Sequence, residues 1–269
     1  MKFDDLDTKM RVYETIHDIR ALPGIYMVAR IDGRNFTMLT KKKHPFDTPF
    51  DESFRDMMIQ TTEHLMDCGF RVIYGYTESD EISLLFHPDE TTFGRKLRKF
   101  NSILAGEASA KFSLLLINIG VFDCRISELP NLELVVDYFR WRNEDAHRNA
   151  LNAHCYWQLR NQGNTAEYTT QFLTNKSVAE KNELLFSLGL NFNDIPNWQK
   201  RGIGLYREEY TKTDINRETQ DAVTSTRRRI KADFEIPMKD EYSRWLMERI
   251  KREISIENSA YVSKRTPSL

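Results

Sequence analysis

Asp32-Gly33 and Ser79-Asp80-Glu81 are the residues of this chain whose types could do chemistry together. The first ends an apolar run and the second turns one back, so both put carboxylates at strand ends. Carboxylate oxygens are hard ligands suited to Mg²⁺. Two such ions, about 4 Å apart, clamp the attacking and leaving oxygens of an in-line phosphoryl displacement. Gly33 lets its own carbonyl, or a phosphate, approach closely. Taken singly, each motif also reads as a solvated turn. Neighbouring strand residues point to opposite faces, so Asp80 is a better direct ligand than Glu81.

The elements that must position these acids follow from hydrophobic periodicity. Residues 5–20 read as an amphipathic helix stopped by Pro23-Gly24, and 25–31 as a buried strand. A basic loop covers 34–50, and 51–67 carry Phe54, Met57, Met58, Thr61 and Leu65 at helical spacing before Gly69. Residues 70–76 and 81–86 form a hairpin, 92–116 a long helix, and 118–124 a fourth strand. The order strand, helix, strand, strand, helix, strand is the split βαβ, ferredoxin-like arrangement. It predicts an α+β fold whose antiparallel sheet is a palm of the polymerase/cyclase kind. In that order the first and third strands are adjacent, which brings Asp32 to the hairpin tip. Residues 130–160 and 176–190 read as helices, 202–210 and 222–236 as strands with a basic turn, and 238–256 as a last helix. The division expected is a palm core over 1–135 and a helical and hairpin extension over 136–269.

Basic residues cluster in three places. Arg95, Lys96, Arg98 and Lys99 read as a helix surface or, at helical spacing, as a triphosphate clamp. Arg227-Arg228-Arg229 with Lys231, at a strand-turn tip, could grip RNA phosphates, and so could Lys41-Lys42-Lys43-His44. His147, Asn149 and Asn152 share one predicted helix, and Lys181-Asn182-Glu183 opens an apolar stretch.

The net charge of −1 over 269 residues excludes a histone-like polycation, so any nucleic-acid site is a local patch. Cys68, Cys124 and Cys155 are scattered, which suggests a reducing cytosol and no zinc site. The most apolar run, 112–122, is too short to cross a membrane, and the N-terminus lacks a signal-peptide pattern.

Together these motifs resemble the histidine-tRNA guanylyltransferase family, the 3′–5′ RNA polymerases. The matching text is Arg30-Ile-Asp-Gly-Arg-Asn-Phe36, Phe46-x-x-Pro49-x-Asp51 and Tyr74-Gly-Tyr-Thr-Glu-Ser-Asp-Glu81. It continues with Phe93-x-Arg95-Lys96-x-x-Lys99, Phe122-Asp-x-Arg125, Trp141-Arg142-x-x-Asp145-x-His147 and Lys181-Asn-Glu-x-Leu-Phe186, all in the family's order. The resemblance implies activation of a tRNA 5′-monophosphate by ATP, then attack by the 3′-OH of an incoming nucleotide; a 5′-triphosphate end can substitute for the activated one. It further implies a cytoplasmic homotetramer acting on tRNA with ATP, GTP and other nucleoside triphosphates. By matched position, Asp32, the Gly33 carbonyl and Asp80 would hold two Mg²⁺ ions, with Glu81 supporting. Arg30, Gly33, Arg34, Asn35, Phe36, Ser79, Lys96 and Lys99 would surround the nucleotide. Ser79, His147, Asn152 and Lys181 would support activation, and Arg227, Arg228 and Arg229 would contact tRNA.

The segment His147-Arg-Asn-Ala-Leu-Asn-Ala-His154 departs from the His-Ile-Asn-Asn-Leu-Tyr-Asn-Thr signature of eukaryotic members, and Thr48 stands where they carry Lys. This resembles the bacterial and archaeal "like" proteins and implies template-dependent repair of 5′-truncated tRNA. The alternatives are guanosine addition at position −1 of histidine tRNA, a nucleotide cyclase, and a non-catalytic tRNA binder.

Overall fold

Along Tyr26–Gly33, alternate residues leave the backbone for opposite sides of a sheet, and that alternation organises the molecule. The computed structural model describes residues 2–40, 44, 46–215 and 222–265. In chain order the elements are α1 (Phe3–Thr15), β1 (Tyr26–Gly33), a single turn α2 (Phe36–Met38), α3 (Glu52–Asp67), β2 (Val72–Glu78) and β3 (Glu81–Phe86). Then come α4 (Leu97–Leu116), β4 (Phe122–Leu129), α5 (Leu132–Asn161), α6 (Ala166–Thr174), α7 (Val178–Ser187), a short α8 (Asn197–Arg201), β5 (Ile203–Ile215), β6 (Ala222–Asp233) and α9 (Lys239–Arg265).

Among the described residues the strands form one antiparallel sheet in the order β4-β1-β3-β2-β5-β6. Its first four strands have the split βαβ order expected from the sequence. Met27, Ala29 and Ile31 of β1, with Ile82, Leu84 and Phe86 of β3, pack under α3 and α4. Helix α4 meets them through Phe100, Leu104, Ala108, Phe112 and Leu116, one every fourth residue. On the other face, Val28 and Leu85 pack against Val135, Val136 and Phe139 of α5 and Tyr242, Leu246 and Ile250 of α9. Asp51 caps α3 by accepting from Phe54 N (2.9 Å), and Asn131 caps α5 by accepting from Leu134 N (2.9 Å).

Several expectations are corrected. The fourth strand begins at Phe122 rather than 118. The segment 92–116 is not one helix, because Phe93, Gly94 and Arg95 have positive φ and a 3₁₀ turn precedes α4. Arg95 therefore leaves the expected clamp. It is buried and donates to the carbonyls of Ala21, Pro88, Glu90 and Ile25, stapling loops together. Arg227, Arg228 and Arg229 lie within β6, opposite Tyr210, Glu209 and Glu208, not at the tip of a turn. The residues of that tip, 216–221, and Lys41, Lys42 and Lys43 lie outside the described residues. Helix α6 answers to no sequence expectation. The three cysteines are free thiols, with burial pushing Cys124 up to about 12. Among the described residues no helix is long and apolar enough to cross a membrane.

Candidate active site

The two acidic motifs meet at one end of the sheet. In the antiparallel register Asp32 stands opposite Glu81. Strand β1 ends at Gly33, whose N–H donates to the Asp80 carbonyl (3.0 Å). Ser79 and Asp80 form the two-residue turn between β2 and β3, with Ser79 at φ 47°. A β-carbon on Gly33 would stand 2.9 Å from Asp80 Oδ2 and 2.5 Å from the Phe36 ring, so only glycine lets the Asp80 carboxylate settle there.

Alternation decides where the other groups go. Ile82, Leu84 and Phe86 face α3 and α4, which sends Glu81 to the α5 side together with Arg30 and Asp32. There Arg142 Nε donates to Glu81 Oε1 (2.6 Å), and Arg142 Nη2 donates to Glu81 Oε2 and Glu78 Oε1 (2.9 Å each). Arg30 Nε lies 2.9 Å from Glu81 Oε2, although its N–H is not aimed along that line, and Arg30 Nη2 donates to Asp32 Oδ2 (3.2 Å). Burial raises the Glu81 carboxyl above its ordinary value while Arg142 and Arg30 pull it back. Glu81 is thus held between guanidinium groups.

Asp80 differs. Among the described residues it forms no ion pair; its side chain accepts from Ser79 Oγ (3.2 Å) and from its own backbone N–H. Burial, together with the Asp32 charge, holds its carboxyl above 3.8. Asp80, without an ion-pair partner among the described residues, and Asp32, flanked by Arg30 (3.2 Å) and Arg125 (3.8 Å), put two carboxylates beside Gly33, an all-oxygen donor set that fits a hard divalent cation. Among the described residues no histidine or cysteine joins them, as zinc would want.

The acids open into a cavity of about 400 Å³ between the palm and the helices behind it. Asp32, Ser79 and Asp80 line it, as do Phe50, Trp198 and Gln199. Gln199 Oε1 lies 3.0 Å from His154 Nε2. Burial lowers the His154 pKa below its ordinary value of 6.5.

Other expected residues are distributed around this centre. Phe36 is buried, packed on Phe54, Phe112 and Phe122, so its ring is core, although one edge reaches the cavity. Asn35 takes the left-handed conformation that starts α2, and Arg34 N donates to Val121 O (2.8 Å). Lys96 pairs with Asp18 (2.6 Å), which also holds Arg98. Lys99 forms no ion pair among the described residues; its ammonium lies 5.9 Å from the Phe93 ring. Lys181 Nζ donates to Asn152 Oδ1 (2.9 Å), joining two residues 29 positions apart. His147 packs on Phe192 with its Nδ1 buried and unpartnered; burial, then Arg201 and Lys200, lower its pKa. Of these expected residues only Phe36 lines the cavity. Arg228 is bound to Glu253 and Arg229 to Glu208. Sequence reasoning quoted Arg142 within a motif but gave it no role; an arginine three positions past the buried Phe139, on the same helix face, was the available signal.

Residues 7–130 match the family model described as Thg1: tRNAHis guanylyltransferase, and residues 133–242 match the Thg1 C terminal domain. The tRNA(His) guanylyltransferase of Schizosaccharomyces pombe is 32% identical over 199 residues, 70% of this chain and 76% of that one. A solved bacterial tRNA(His) guanylyltransferase (Thg1)-like protein in complex with ATP superposes with a TM-score of 0.71 at 27% identity, covering 91% of this chain and 99% of that one. Its counterpart in complex with GTP gives 0.69 at 26% identity, with the same coverage.

Proposed function

The chain belongs to the tRNA(His) guanylyltransferase family and is a nucleotidyltransferase; from that premise we propose that it adds nucleotides to the 5′ end of truncated tRNA in the 3′–5′ direction, each chosen by pairing with the opposing 3′ strand. The observation that carries this reading is the meeting of Asp32, Gly33 and Asp80 at the mouth of the cavity.

Asp32, Asp80 and the Gly33 carbonyl would hold two Mg²⁺ ions. When bound, such ions neutralise phosphoryl charge and acidify the attacking hydroxyl. The chain's own residues do the rest. Gly33 and Ser79 present backbone where a phosphate must come close. Arg30 and Lys99 supply cations for the triphosphate; Lys96 joins them by exchanging its Asp18 partner. Asn152 and Lys181, with His147 on the same helix as Asn152, serve the ATP-dependent activation of the 5′-monophosphate. In this reading residues 1–135 carry the chemistry and 136–269 complete the site. Arg227 and its neighbours on β6 contact tRNA. The departure of His147–His154 from the eukaryotic signature, and the match along nearly the whole bacterial like-protein, favour repair.

A second reading is guanosine addition at position −1 of histidine tRNA, favoured by the names of curated relatives such as the S. pombe enzyme. An extension assay separates the two. It uses 5′-labelled tRNA lacking its first nucleotide, ATP, Mg²⁺ and each nucleoside triphosphate in turn, with the templating base varied through all four identities. Repair predicts incorporation that follows the template. Guanosine entering regardless of the opposing base, or only on histidine tRNA, supports the second reading. Cyclic nucleotide made without RNA would overturn both.

A further inference from the structure

Two glutamates face each other directly across the catalytic hairpin, since Glu78 pairs with Glu81 in the β2–β3 register. Their side chains are 11% and 9% exposed. Two carboxyl groups directly opposite on a sheet repel when both are ionised, and burial, together with the Glu81 charge, holds the Glu78 carboxyl well above its ordinary value. The turn they flank is itself strained, with Ser79 in the left-handed region at φ 47°. Within the hairpin Thr77 Oγ1 donates to the Glu81 carbonyl (2.9 Å), but the partners of the two carboxyl groups come from outside it.

Arg142 holds it. The residue sits on α5, in the C-terminal half, and its side chain is 6% exposed. Its guanidinium takes both oxygens of Glu81 and one of Glu78, and Nη1 lies 3.3 Å from Asp145 Oδ2. The Trp141 ring lies 4.7 Å from its Cζ. One planar fork therefore bridges both stems of the turn that carries Asp80. A lysine, with a single point charge, cannot reproduce that bridge.

We infer that Arg142 is a positioning residue: it clamps Glu78 and Glu81 so that the turn presents Asp80 to Asp32, and Glu81 is the anchor of the clamp rather than a ligand of the metal. This rests on the metal reading above. It goes further in making α5 part of the machinery that forms the site and in removing Glu81 from the coordination set. The geometry predicts that a defect at Arg142 spoils ion binding and turnover while nucleotide recognition is spared.

The test measures Mn²⁺ binding to the full chain by calorimetry, in the absence of RNA, alongside kcat and KM for nucleotide addition. The variants are Arg142→Gln, Arg142→Lys, Glu81→Gln and Asp80→Asn. Asp80→Asn should lose Mn²⁺ binding and activity. Arg142→Gln should lose about 10- to 100-fold in Mn²⁺ affinity and in kcat, the range typical of groups that orient ligands, with KM for nucleotide within about threefold of wild type. Arg142→Lys should recover part of that loss, and it serves as the test where Arg142→Gln does not fold. Glu81→Gln should bind Mn²⁺ within about tenfold of wild type, because an amide still accepts from Arg142. If Arg142→Lys matches wild type in Mn²⁺ affinity and kcat, or Glu81→Gln loses Mn²⁺ as completely as Asp80→Asn, the inference fails. If Asp80→Asn itself keeps Mn²⁺ and activity, the metal reading fails instead.

Discussion

Gly33 and Asp80 are in contact: the Gly33 N–H donates to the Asp80 carbonyl at 3.0 Å, and a β-carbon at Gly33 would come within 2.9 Å of Asp80 Oδ2. Gly33→Ala should therefore displace either the Asp80 carboxylate or the Phe36 ring. Displacing a reacting group by about 1 Å costs roughly a hundredfold in rate. The expected outcome is loss of nucleotide addition by about that factor, with the circular dichroism spectrum of wild type. Near-normal turnover would show that the approach at Gly33 is not used.

Lys181 and Asn152 form a pair set apart from the acids. Lys181→Ala should slow extension of a 5′-monophosphorylated tRNA, which must first be activated. A charge-assisted contact is worth about 1.5–3 kcal/mol, roughly ten- to a hundredfold. A 5′-triphosphorylated tRNA bypasses activation and should be extended at close to the normal rate. Equal losses on both substrates would remove Lys181 from the activation step.

Arg228 and Arg229 should separate in stability. Arg228 binds both oxygens of Glu253, whose side chain is 7% exposed. Arg228→Ala leaves that carboxylate unpaired. The cost should be about 2 kcal/mol, less than the ~3–5 of a fully buried pair because Arg228 is itself 30% exposed. Arg229 is 62% exposed, and Arg229→Ala should cost no more than about 0.5 kcal/mol. Urea unfolding of the two variants measures the difference; equal midpoints would contradict the assignment.

His154 gives a pH dependence whose sign is fixed. Its folded-state pKa is lowered from 6.5 by burial, so below that value the unfolded chain takes up a proton that the folded chain refuses. Wild-type stability therefore has a term that falls as pH drops through 6.5. A glutamine there cannot titrate, yet its amide can still donate to Gln199. The stability of wild type relative to His154→Gln, from urea midpoints, should decrease between about pH 7.5 and about pH 5.5. A constant or rising difference would show that His154 titrates normally.

Much of the palm was legible in the chain. Strand β3 runs over 81–86 as its alternation and flanking turn require, and β1 and α3 agree with expectation to within about two residues at either end. The juxtaposition of Asp32 with the hairpin tip followed from strand order, because the split βαβ arrangement makes the first and third strands neighbours. Arg95 was misplaced because the segment around it looks helical by composition, whereas three consecutive residues take positive φ. Arg227, Arg228 and Arg229 were misplaced because a basic run looks like a solvated tip, while their partners Glu208 and Glu253 lie 21 and 25 positions away.

The sequence by itself determined which residues could be metal ligands, that they belong to one sheet, and to which family the chain belongs. These follow from residue type, period and motif order, all local properties of the chain. Only the tertiary structure decided which carboxylates are paired and which stand open. Asp32, Asp80 and Glu81 are chemically alike, and what separates them is the charge brought against each. Arg142, 61 residues from Glu81, takes that carboxylate out of the open set, while no described cation closes on Asp80. Electrostatic partnership over such a separation is set by packing of α5 on the sheet, which no local pattern encodes.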